Sequence, residues 1–343
     1  MKLVFVHVGK KIPKHLKLNL RKTIDLFPKL EVVLIVNQEC RVSNIPGLGV
    51  FRFSYFEELD FIKFKLGHPK NFRNNFWFLS LIRFFVLHKF MEKNVGEIIH
   101  VESDVILASD FPYNKFSQLE GKCAFSLTSD SEGIASILYL RDFETSRLLS
   151  EQTLISVGLN SYTTDMIILK EFYVKYKSIT HILPSGSDFS SKNNLRVPPI
   201  DAEKIRKSKS HFGGIFDGID LGFYLTGEDP RNNRGLRRIR SVIPRNYVDP
   251  KLLDPCWNIE RGFIDVFDHH LGCLSPVYSL HIHSKDLRFF QGNNIRIFQS
   301  RLRDFNNSES KELSIRTLFK SIIISVARRF HITVGSRFRN KYV

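Results

Sequence analysis

The opening segments of the chain constrain the fold most, because they alternate between strand-like and helix-like patterns. KLVFVHVG (2–9) and EVVLIVNQ (31–38) are nearly continuous apolar runs, as expected for strands that are buried on both faces. Between them, LKLNLRKTIDLFP (16–28) carries apolar residues at helical spacing and stops at Pro28. Two buried strands joined by a helix predict a βαβ unit and therefore a parallel sheet.

The same alternation continues through most of the 343 residues and sets the fold class. Apolar runs predict further strands at 97–107, 122–129, 136–140, 181–185 and 276–287. Helical spacing, or a long apolar stretch without Gly or Pro, predicts helices at 71–94, 142–158 and 165–176. We therefore expect an α/β domain with a mainly parallel, Rossmann-like sheet flanked by helices, which binds ligands outside the carboxyl ends of its strands.

Two acidic residues stand where the strand predicted at 97–107 should run into the core. In GEIIHVESDVILASDF (96–111), Glu102 and Asp104 are two residues apart, so their side chains share one face of an extended chain. Neighbouring carboxylates repel each other unless a cation lies between them or one is protonated. The pair therefore predicts a Mn²⁺ or Mg²⁺ site that also holds substrate phosphates. The alternative is a strand that has ended, with both acids in solvent.

A second candidate cluster follows much later, in HIHSK (281–285). If the strand predicted at 276–287 runs through this stretch, His281, His283 and Lys285 lie on one face. An imidazole can complete a metal shell, and a lysine ammonium can pair with phosphate oxygens. The alternative is an edge strand that exposes two histidines to solvent, and the spacing does not show whether the two clusters meet.

Net charge and cysteine placement narrow the classes of protein. A formal net charge of +16 indicates an anionic partner such as a phosphorylated substrate, a nucleic acid or an anionic membrane. The four cysteines are scattered without a CxxC pair, which indicates free thiols in a reducing compartment. The opening apolar run is too short for a signal peptide, and no run approaches the roughly 20 apolar residues of a membrane span, so we expect a cytoplasmic protein.

The last segment of the chain is strongly basic. From Leu313 onward there are seven Lys or Arg residues and no acid, and the apolar residues of LSIRTLFKSIIISVARRF (313–330) follow the helical period. We predict a globular domain at 1–305 and a basic amphipathic helix within the tail, 306–343. Such a helix favours attachment to the inner face of an anionic membrane, and the alternative is a terminal helix packed on the domain.

The order of these pieces resembles the GT-A fold glycosyltransferases of the family 8 type, which include glycogenin and bacterial lipopolysaccharide galactosyl- and glucosyltransferases. The resemblance spans roughly residues 2–290. It is carried by a long arginine-bearing helix before an apolar strand with an acid pair, then by ASILYLRDFETSRLL, TTDMIIL, HILPS and LHIHSK. Two features depart from the family pattern and indicate a divergent relative. The first acid is Glu102 where the family has aspartate, and the spacing from histidine to lysine is shorter here.

The resemblance implies transfer of a sugar from a nucleotide-sugar donor, usually UDP-linked, to a glycan or lipid-linked acceptor in surface polysaccharide synthesis. It implies that Glu102, Asp104 and His283, with His281 as the second choice, hold Mn²⁺ or Mg²⁺ on the donor diphosphate. The further donor-contacting residues that it implies are His7, Val8, Gly9, Asn37, Arg83, Ser103 and Lys285. An ordinary arginine on a helix surface is the alternative for Arg83.

The resemblance also implies residues around the reacting sugar. Asp165 falls where the family has an aspartate that opens a helix, so it would face the donor sugar or the acceptor; alternatively, it is the N-cap of that helix. Residues 184–262 are polar and rich in glycine, which predicts long loops. Within them, 212–235 would form part of the sugar-binding wall with Asp217 as its polar contact, although Gly and Asp also serve simply to make turns. Asp165 and Asp217 are the candidate catalytic residues.

Two other functions remain open on the sequence. The positive charge fits a nucleic-acid-binding protein, but it clusters in the tail and in 231–245, and no recognised nucleic-acid motif is present. We therefore expect no nucleic acid partner. A nucleotide-sugar hydrolase or a nucleotidyltransferase on a related fold would use the same acids, and product analysis with UDP-sugars would separate it from a transferase.

Overall fold

The computed structural model describes residues 1–68, 75–129, 131–185, 202–227, 229, 253–268, 272–291, 298–300 and 302. Its α-helices are α1 (Lys14–Leu26), α2 (Glu58–Lys65), α3 (Phe76–Lys93), α4 (Tyr113–Phe116), α5 (Phe143–Leu159), α6 (Asp165–Lys175), α7 (Ala202–Phe212) and α8 (Asp220–Thr226). Its strands are β1 (Lys2–His7), β2 (Glu31–Asn37), β3 (Leu48–Phe53), β4 (Ile98–Val101), β5 (Val105–Leu107), β6 (Cys123–Leu127), β7 (Gly133–Leu140), β8 (Thr180–Ile182), β9 (Ile215–Phe216), β10 (Cys256–Asn258), β11 (Phe263–Asp268) and β12 (Cys273–His281).

Within the described residues, a seven-stranded sheet has the order β3-β2-β1-β4-β7-β6-β8. Its neighbouring strands run parallel except at β7, which is antiparallel to both β4 and β6. The prediction of an α/β fold with a mainly parallel sheet flanked by helices is therefore confirmed. Because β1, β2 and β4 run in the same direction, their carboxyl ends at His7, Asn37 and Val101 lie along one edge of the sheet.

Helices cover both faces of this sheet, and the side chains of β1 show how. Val4 lies in one buried cluster with residues of α3, α5 and α6. Leu3 and Phe5 lie in a second cluster with Leu16 and Leu20 of α1. Successive residues of a strand point to opposite faces, so a strand between two helical layers must be apolar on both sides. This requirement explains the nearly continuous apolar runs at the start of the chain.

A second sheet has the order β10-β11-β12-β5, with β9 paired to β12. The chain passes from one sheet to the other at the predicted acid pair. β4 ends at Val101, and β5 begins at Val105 as an antiparallel partner of β12. The single strand predicted over 97–107 is therefore wrong, because two short strands in two different sheets occupy it. Glu102, Ser103 and Asp104 form the junction between the sheets.

The structure differs from the sequence predictions at other elements. β3 and α2 were not predicted, and the segment 184–262, predicted as loops, contains α7, β9, α8 and β10 in its described part. The last strand ends at His281 instead of continuing to 287, because the chain turns after it. The four cysteines are free thiols, as predicted.

The predictions for the C-terminal tail concern residues outside those that the structure describes. The chain divides into one compact unit of Met1–Phe298 and another of Gln299–Val343. The boundary predicted at 305, the amphipathic helix predicted within 306–343 and the basic cluster of 231–245 lie outside the described residues. Within the described ranges, no helix combines the length and apolar character that a membrane crossing requires.

Candidate active site

The junction between β4 and β5 is a tight turn that holds the two acids in place. The Val105 N–H donates to the Glu102 carbonyl oxygen at 3.0 Å, which closes the turn, and the Glu102 N–H donates to Ser136 of β7 at 3.1 Å. On the other side, the buried Asn19 amide of α1 donates to the carbonyl oxygens of Val105 at 2.7 Å and Ser103 at 3.3 Å. Hydrogen bonds from β7 on one side and from Asn19 of α1 on the other therefore fix the position of the turn.

His281 ends β12 directly beside this turn, because it pairs with Val105 in the second sheet. Its Nε2 lies 3.4 Å from Asp104 Oδ2 and 3.7 Å from Glu102 Oε2. Its Nδ1 lies 2.7 Å from the Gly218 carbonyl oxygen, and since a carbonyl only accepts, Nδ1 carries a proton. The ring is thus oriented with Nε2 toward both carboxylates.

Two buried or half-buried cations complete the cluster. The guanidinium of Arg83, on α3, forms ion pairs with Glu102 and with Asp165, the first residue of α6. The Lys285 ammonium lies 2.5 Å from Asp104 Oδ2 and 3.4 Å from Asp229 Oδ2. The alternative of a solvated helix-surface arginine is wrong for Arg83, which is only 7% exposed.

The charged groups of this cluster shift one another's pKa values strongly. Burial raises the pKa of Asp104, but Lys285 and His281 outweigh it and hold the pKa well below its usual range. Burial also opposes ionisation of Glu102, yet Arg83 lowers its pKa overall. Burial lowers the pKa of His281, but Asp104 and Glu102 together raise it to about 9. The raised pKa favours a protonated His281 ring between the two carboxylates at neutral pH.

Asp165 differs from Glu102 although both contact the same guanidinium. Burial raises the pKa of Asp165, and the pull of Arg83 does not fully offset it. The alternative that Asp165 caps its helix is wrong, because Thr164 is the N-cap and its side-chain oxygen accepts from the Ile167 N–H at 3.3 Å. The Asp165 side chain instead faces the cluster through Arg83.

The residues of the cluster fit a divalent cation. One ligand atom from each of Glu102, Asp104 and His281 lies within 4.8 Å of the others. Carboxylate oxygens suit both Mn²⁺ and Mg²⁺ as ligands. The imidazole nitrogen suits Mn²⁺ better, because Mg²⁺ takes fewer nitrogen ligands. A metal-binding histidine usually donates its other ring N–H to a carbonyl or carboxylate, as His281 does to Gly218. A cation bound here would replace the positive charge of the protonated His281 ring.

The first-choice histidine, His283, does not lie in this group. The period-two reasoning fails after His281, because the His283 N–H donates to the His281 carbonyl at 3.0 Å and the Lys285 N–H donates to Ile282 at 2.9 Å. This turn stacks the His283 ring on the ring of His281, with centroids 3.8 Å apart. Burial and the positive His281 ring hold the pKa of His283 well below its usual range. The structure therefore groups the second choice, His281, with the acids.

Four of the predicted donor residues, His7, Val8, Gly9 and Asn37, lie at the carboxyl ends of β1 and β2. The Gly9 N–H donates to Asn37 Oδ1 at 2.9 Å, which ties the two strand ends together. His7 Nε2 donates to the Lys11 carbonyl at 3.0 Å, and burial lowers the pKa of His7. Val8 lies between them and is half-buried. These residues share the sheet edge with the acid turn, and their contacts with a nucleotide stay predictions.

Asp217 has a clear positioning role in the structure. It is buried, and its carboxylate accepts three backbone N–H groups, from Leu221 at 3.0 Å, Gly222 at 2.8 Å and His281 at 3.1 Å. A Cβ atom at Gly222 would lie 1.9 Å from the His281 carbonyl oxygen, so α8 can approach β12 only with glycine here. Asp217 thus joins the start of α8 to the end of β12, and its predicted contact with a sugar stays a prediction.

Sequence reasoning missed several residues that hold the site. Gly218 supplies the carbonyl that orients His281, Asp229 contacts Lys285, and Asn19 supports the acid turn. Only Asn19 left a signal, because it interrupts an apolar helical face between Leu16 and Leu20. A buried polar residue on such a face needs hydrogen-bond partners from another element.

Comparisons with known proteins give a loose structural likeness. No family model and no curated protein sequence matches the chain. Among solved structures, the galactosyltransferase LgtC in complex with donor and acceptor sugar analogs matches 60% of this chain and 83% of its own, at 11% identity and a TM-score of 0.40. The apo form of mouse xyloside xylosyltransferase 1 matches 53% of this chain and 84% of its own, at 10% identity and a TM-score of 0.34. Likeness at these scores is too weak to assign the chain to a family or an activity.

Proposed function

We propose that the protein is a metal-dependent glycosyltransferase of GT-A type, which moves a sugar from a UDP-sugar to a glycan or lipid-linked acceptor. The observation that supports this most directly is the convergence of Glu102, Asp104 and His281 at the edge where parallel strands end. Ligands of α/β sheets bind at such edges, and metal sites of this kind combine one or two carboxylates with substrate phosphates.

Each residue of the cluster has a proposed role. Glu102, Asp104 and His281 would hold Mn²⁺ or Mg²⁺, which supplies a Lewis acid that offsets charge on a departing nucleoside diphosphate. Lys285 already lies beside Asp104 and would pair with the same phosphate oxygens. Arg83 orients Glu102 and Asp165 together, so that Asp165 would lie next to the reacting sugar.

The residues at the ends of β1 and β2 would contact the nucleoside. His7, Val8, Gly9 and Asn37 line the same sheet edge as the metal site, and the Gly9–Asn37 hydrogen bond fixes their spacing. Ser103 lies in the turn between the two acids and would approach the same part of the donor. These assignments rest on position along the edge, which the parallel strands share.

Thermal unfolding with nucleotides and metal tests the proposal. Mn²⁺ with UDP should raise the melting temperature, and EDTA should remove the effect, because a ligand that binds only the folded state stabilises it by about 2.7 kcal/mol at a concentration 100 times its Kd. Asp104→Asn should lose the Mn²⁺-dependent shift while remaining folded. Asp25→Asn, an exposed acid on α1, is the matched control and should keep it. Failure of Mn²⁺ with every nucleoside diphosphate to shift the melting temperature would refute the proposed site.

The reaction type is tested by the products. With a UDP-sugar and a pool of glycans, a transferase leaves UDP and an elongated glycan. A hydrolase leaves UDP and free sugar, and a nucleotidyltransferase leaves a sugar phosphate or exchanges the nucleotide. Free sugar at the same rate with and without every acceptor would favour the hydrolase.

A cytoplasmic location at the inner face of a membrane belongs to the same proposal. The supporting observation is the basic amphipathic sequence at 313–330, which suits an anionic membrane surface. Deleting 311–343 should move the protein from the membrane pellet to the supernatant. Unchanged fractionation of a folded truncation would refute attachment through the tail.

A further inference from the structure

Three aromatic rings form a cluster outside the metal site. The His68 ring stacks on Trp77, with centroids 5.0 Å apart and an interplanar angle of 26°, and meets the edge of Tyr162 at 5.5 Å. His68 and Trp77 are half-buried, and Tyr162 is 62% exposed. The cluster therefore presents aromatic surface to solvent instead of filling the core.

The cluster lies next to the candidate active site. Tyr162 is only three residues before Asp165, so their Cα atoms are at most about 10 Å apart. His68 Nε2 donates to the Thr163 carbonyl at 3.0 Å, and the Gly67 N–H donates to the Ser161 carbonyl at 2.8 Å. These hydrogen bonds hold His68 against the segment that leads into the Arg83–Asp165 pair.

The segment around Tyr162 packs closely against Gly67. A Cβ atom at Gly67 would lie 2.9 Å from Ser161 Oγ and 3.1 Å from Tyr162 Cζ. A larger residue at this position would therefore crowd the side chains of Ser161 and Tyr162. Tyr162 thus lies beside both Gly67 and His68, although most of its surface is exposed.

Polar groups accompany the aromatic surface. Because His68 Nε2 donates to a carbonyl, the neutral ring has an unprotonated Nδ1 that can accept a hydrogen bond. The Thr163 hydroxyl is buried, and within the described part of the chain it has no hydrogen-bond partner. The cluster therefore combines aromatic faces with an acceptor nitrogen at His68 Nδ1, whereas the buried Thr163 hydroxyl is closed to solvent.

We propose that His68, Trp77 and Tyr162 form the acceptor subsite, and that the acceptor group bound there is a carbohydrate ring. This inference rests on the proposed glycosyltransferase function. A sugar ring has a weakly polar C–H face that packs on an aromatic ring, and a rim of hydroxyl groups that both donate and accept hydrogen bonds. The cluster offers surfaces for both, close to the aspartate placed at the reacting sugar.

Tryptophan fluorescence gives a direct test, because Trp77 and Trp257 are the two tryptophans of the chain. The ring of Trp257 packs on Phe298. The substitution Trp257→Phe leaves Trp77 as the single tryptophan reporter. Lactose, cellobiose and maltose are titrated into this full-length variant in the presence of Mn²⁺ and UDP. We expect a saturable change in Trp77 emission with at least one of the three disaccharides.

Variants of the exposed ring then separate stacking from other effects. Tyr162→Ala should weaken the disaccharide response about tenfold, the scale of one lost aromatic contact, and Tyr162→Phe should retain it. Tyr55→Ala is the matched control, because Tyr55 is 65% exposed and lies outside the cluster. In turnover assays, Tyr162→Ala should raise the acceptor KM and leave the melting-temperature shift with Mn²⁺ and UDP unchanged.

The outcomes separate this inference from the proposed function. If Mn²⁺ and UDP bind but no disaccharide changes Trp77 emission, the subsite is wrong and the donor site stands. If Tyr162→Ala weakens UDP binding and not the disaccharide response, the rings stack on the nucleotide base, and the inference is also overturned. An equal loss in Tyr55→Ala would overturn it as non-specific. A disaccharide response without any binding of Mn²⁺ and UDP would support the sugar subsite and refute the proposed transferase.

Discussion

Replacing Asp217 distinguishes its positioning role from the catalytic role that the sequence predicted. Its two oxygens accept backbone N–H groups from Leu221, Gly222 and His281. Asp217→Asn keeps one acceptor oxygen, so at least one of these N–H groups faces an amide NH₂. A hydrogen bond to a charged acceptor contributes about 1.5–3 kcal/mol, and burial, which raises the pKa of Asp217, offsets part of it. We therefore expect Asp217→Asn to lower the free energy of unfolding by about 2 kcal/mol.

Asp217→Ala should cost more, about 4 kcal/mol, because it leaves three buried donors without an acceptor. Urea titration of the full-length protein measures both values, and Mn²⁺ affinity should fall in parallel because the His281 backbone loses its support. Asp25→Asn is the control and should change neither. The refuting result is an Asp217→Asn variant with unchanged stability and Mn²⁺ affinity but no product formation, since Asp217 would then act on the substrate.

Three further predictions concern protons, charge and the acid turn. Mn²⁺ binding at pH 7 should release about one proton, because His281 with a pKa of about 9 must become neutral; calorimetric enthalpies that do not vary with buffer ionisation would contradict this. Arg83→Met should cost about 3 kcal/mol near pH 7. The stabilisation that comes from the lowered pKa of Glu102 is fully present above its unfolded pKa and is lost as the pH falls through its folded pKa. The loss measured by urea titration should therefore shrink near pH 4, and an equal loss at both pH values would contradict this. Asn19→Ala should cost about 1–2 kcal/mol and weaken Mn²⁺ binding, while Arg21→Ala, exposed on the same helix, should do neither; unchanged Mn²⁺ affinity would refute the role of Asn19.

The acid pair could be predicted from the sequence, but its structural setting could not. The apolar run before Glu102 and the period-two spacing to Asp104 indicated a strand end with both carboxylates on one side. The change of sheet at this point depends on the pairing of β5 with β12, which follows far along the chain. Local apolar pattern cannot show which distant strand a segment will join, so 97–107 read as one strand.

The choice between the two histidines failed for a related reason. Alternation holds only while a strand continues, and β12 ends at His281 because the chain turns there, with the His283 N–H donating to the His281 carbonyl at 3.0 Å. The Ile282 N–H also donates to the Asp104 carbonyl at 2.7 Å, and a contact between segments so distant in sequence leaves no pattern within HIHSK. β3 and α2 were not predicted for a simpler reason. They are only partly buried, so the apolar periodicity of their sequences is weak.

The junction of the two sheets gives a bound cation a mechanical consequence. Glu102 follows the end of β4 in the large sheet, whereas His281 ends β12 in the small sheet. Asp104 directly precedes β5, which pairs with β12. A metal that binds all three side chains would cross-link the two sheets. Loss of the metal should then loosen β10, β11 and β12 before the large sheet, so their amide hydrogens should exchange first in EDTA.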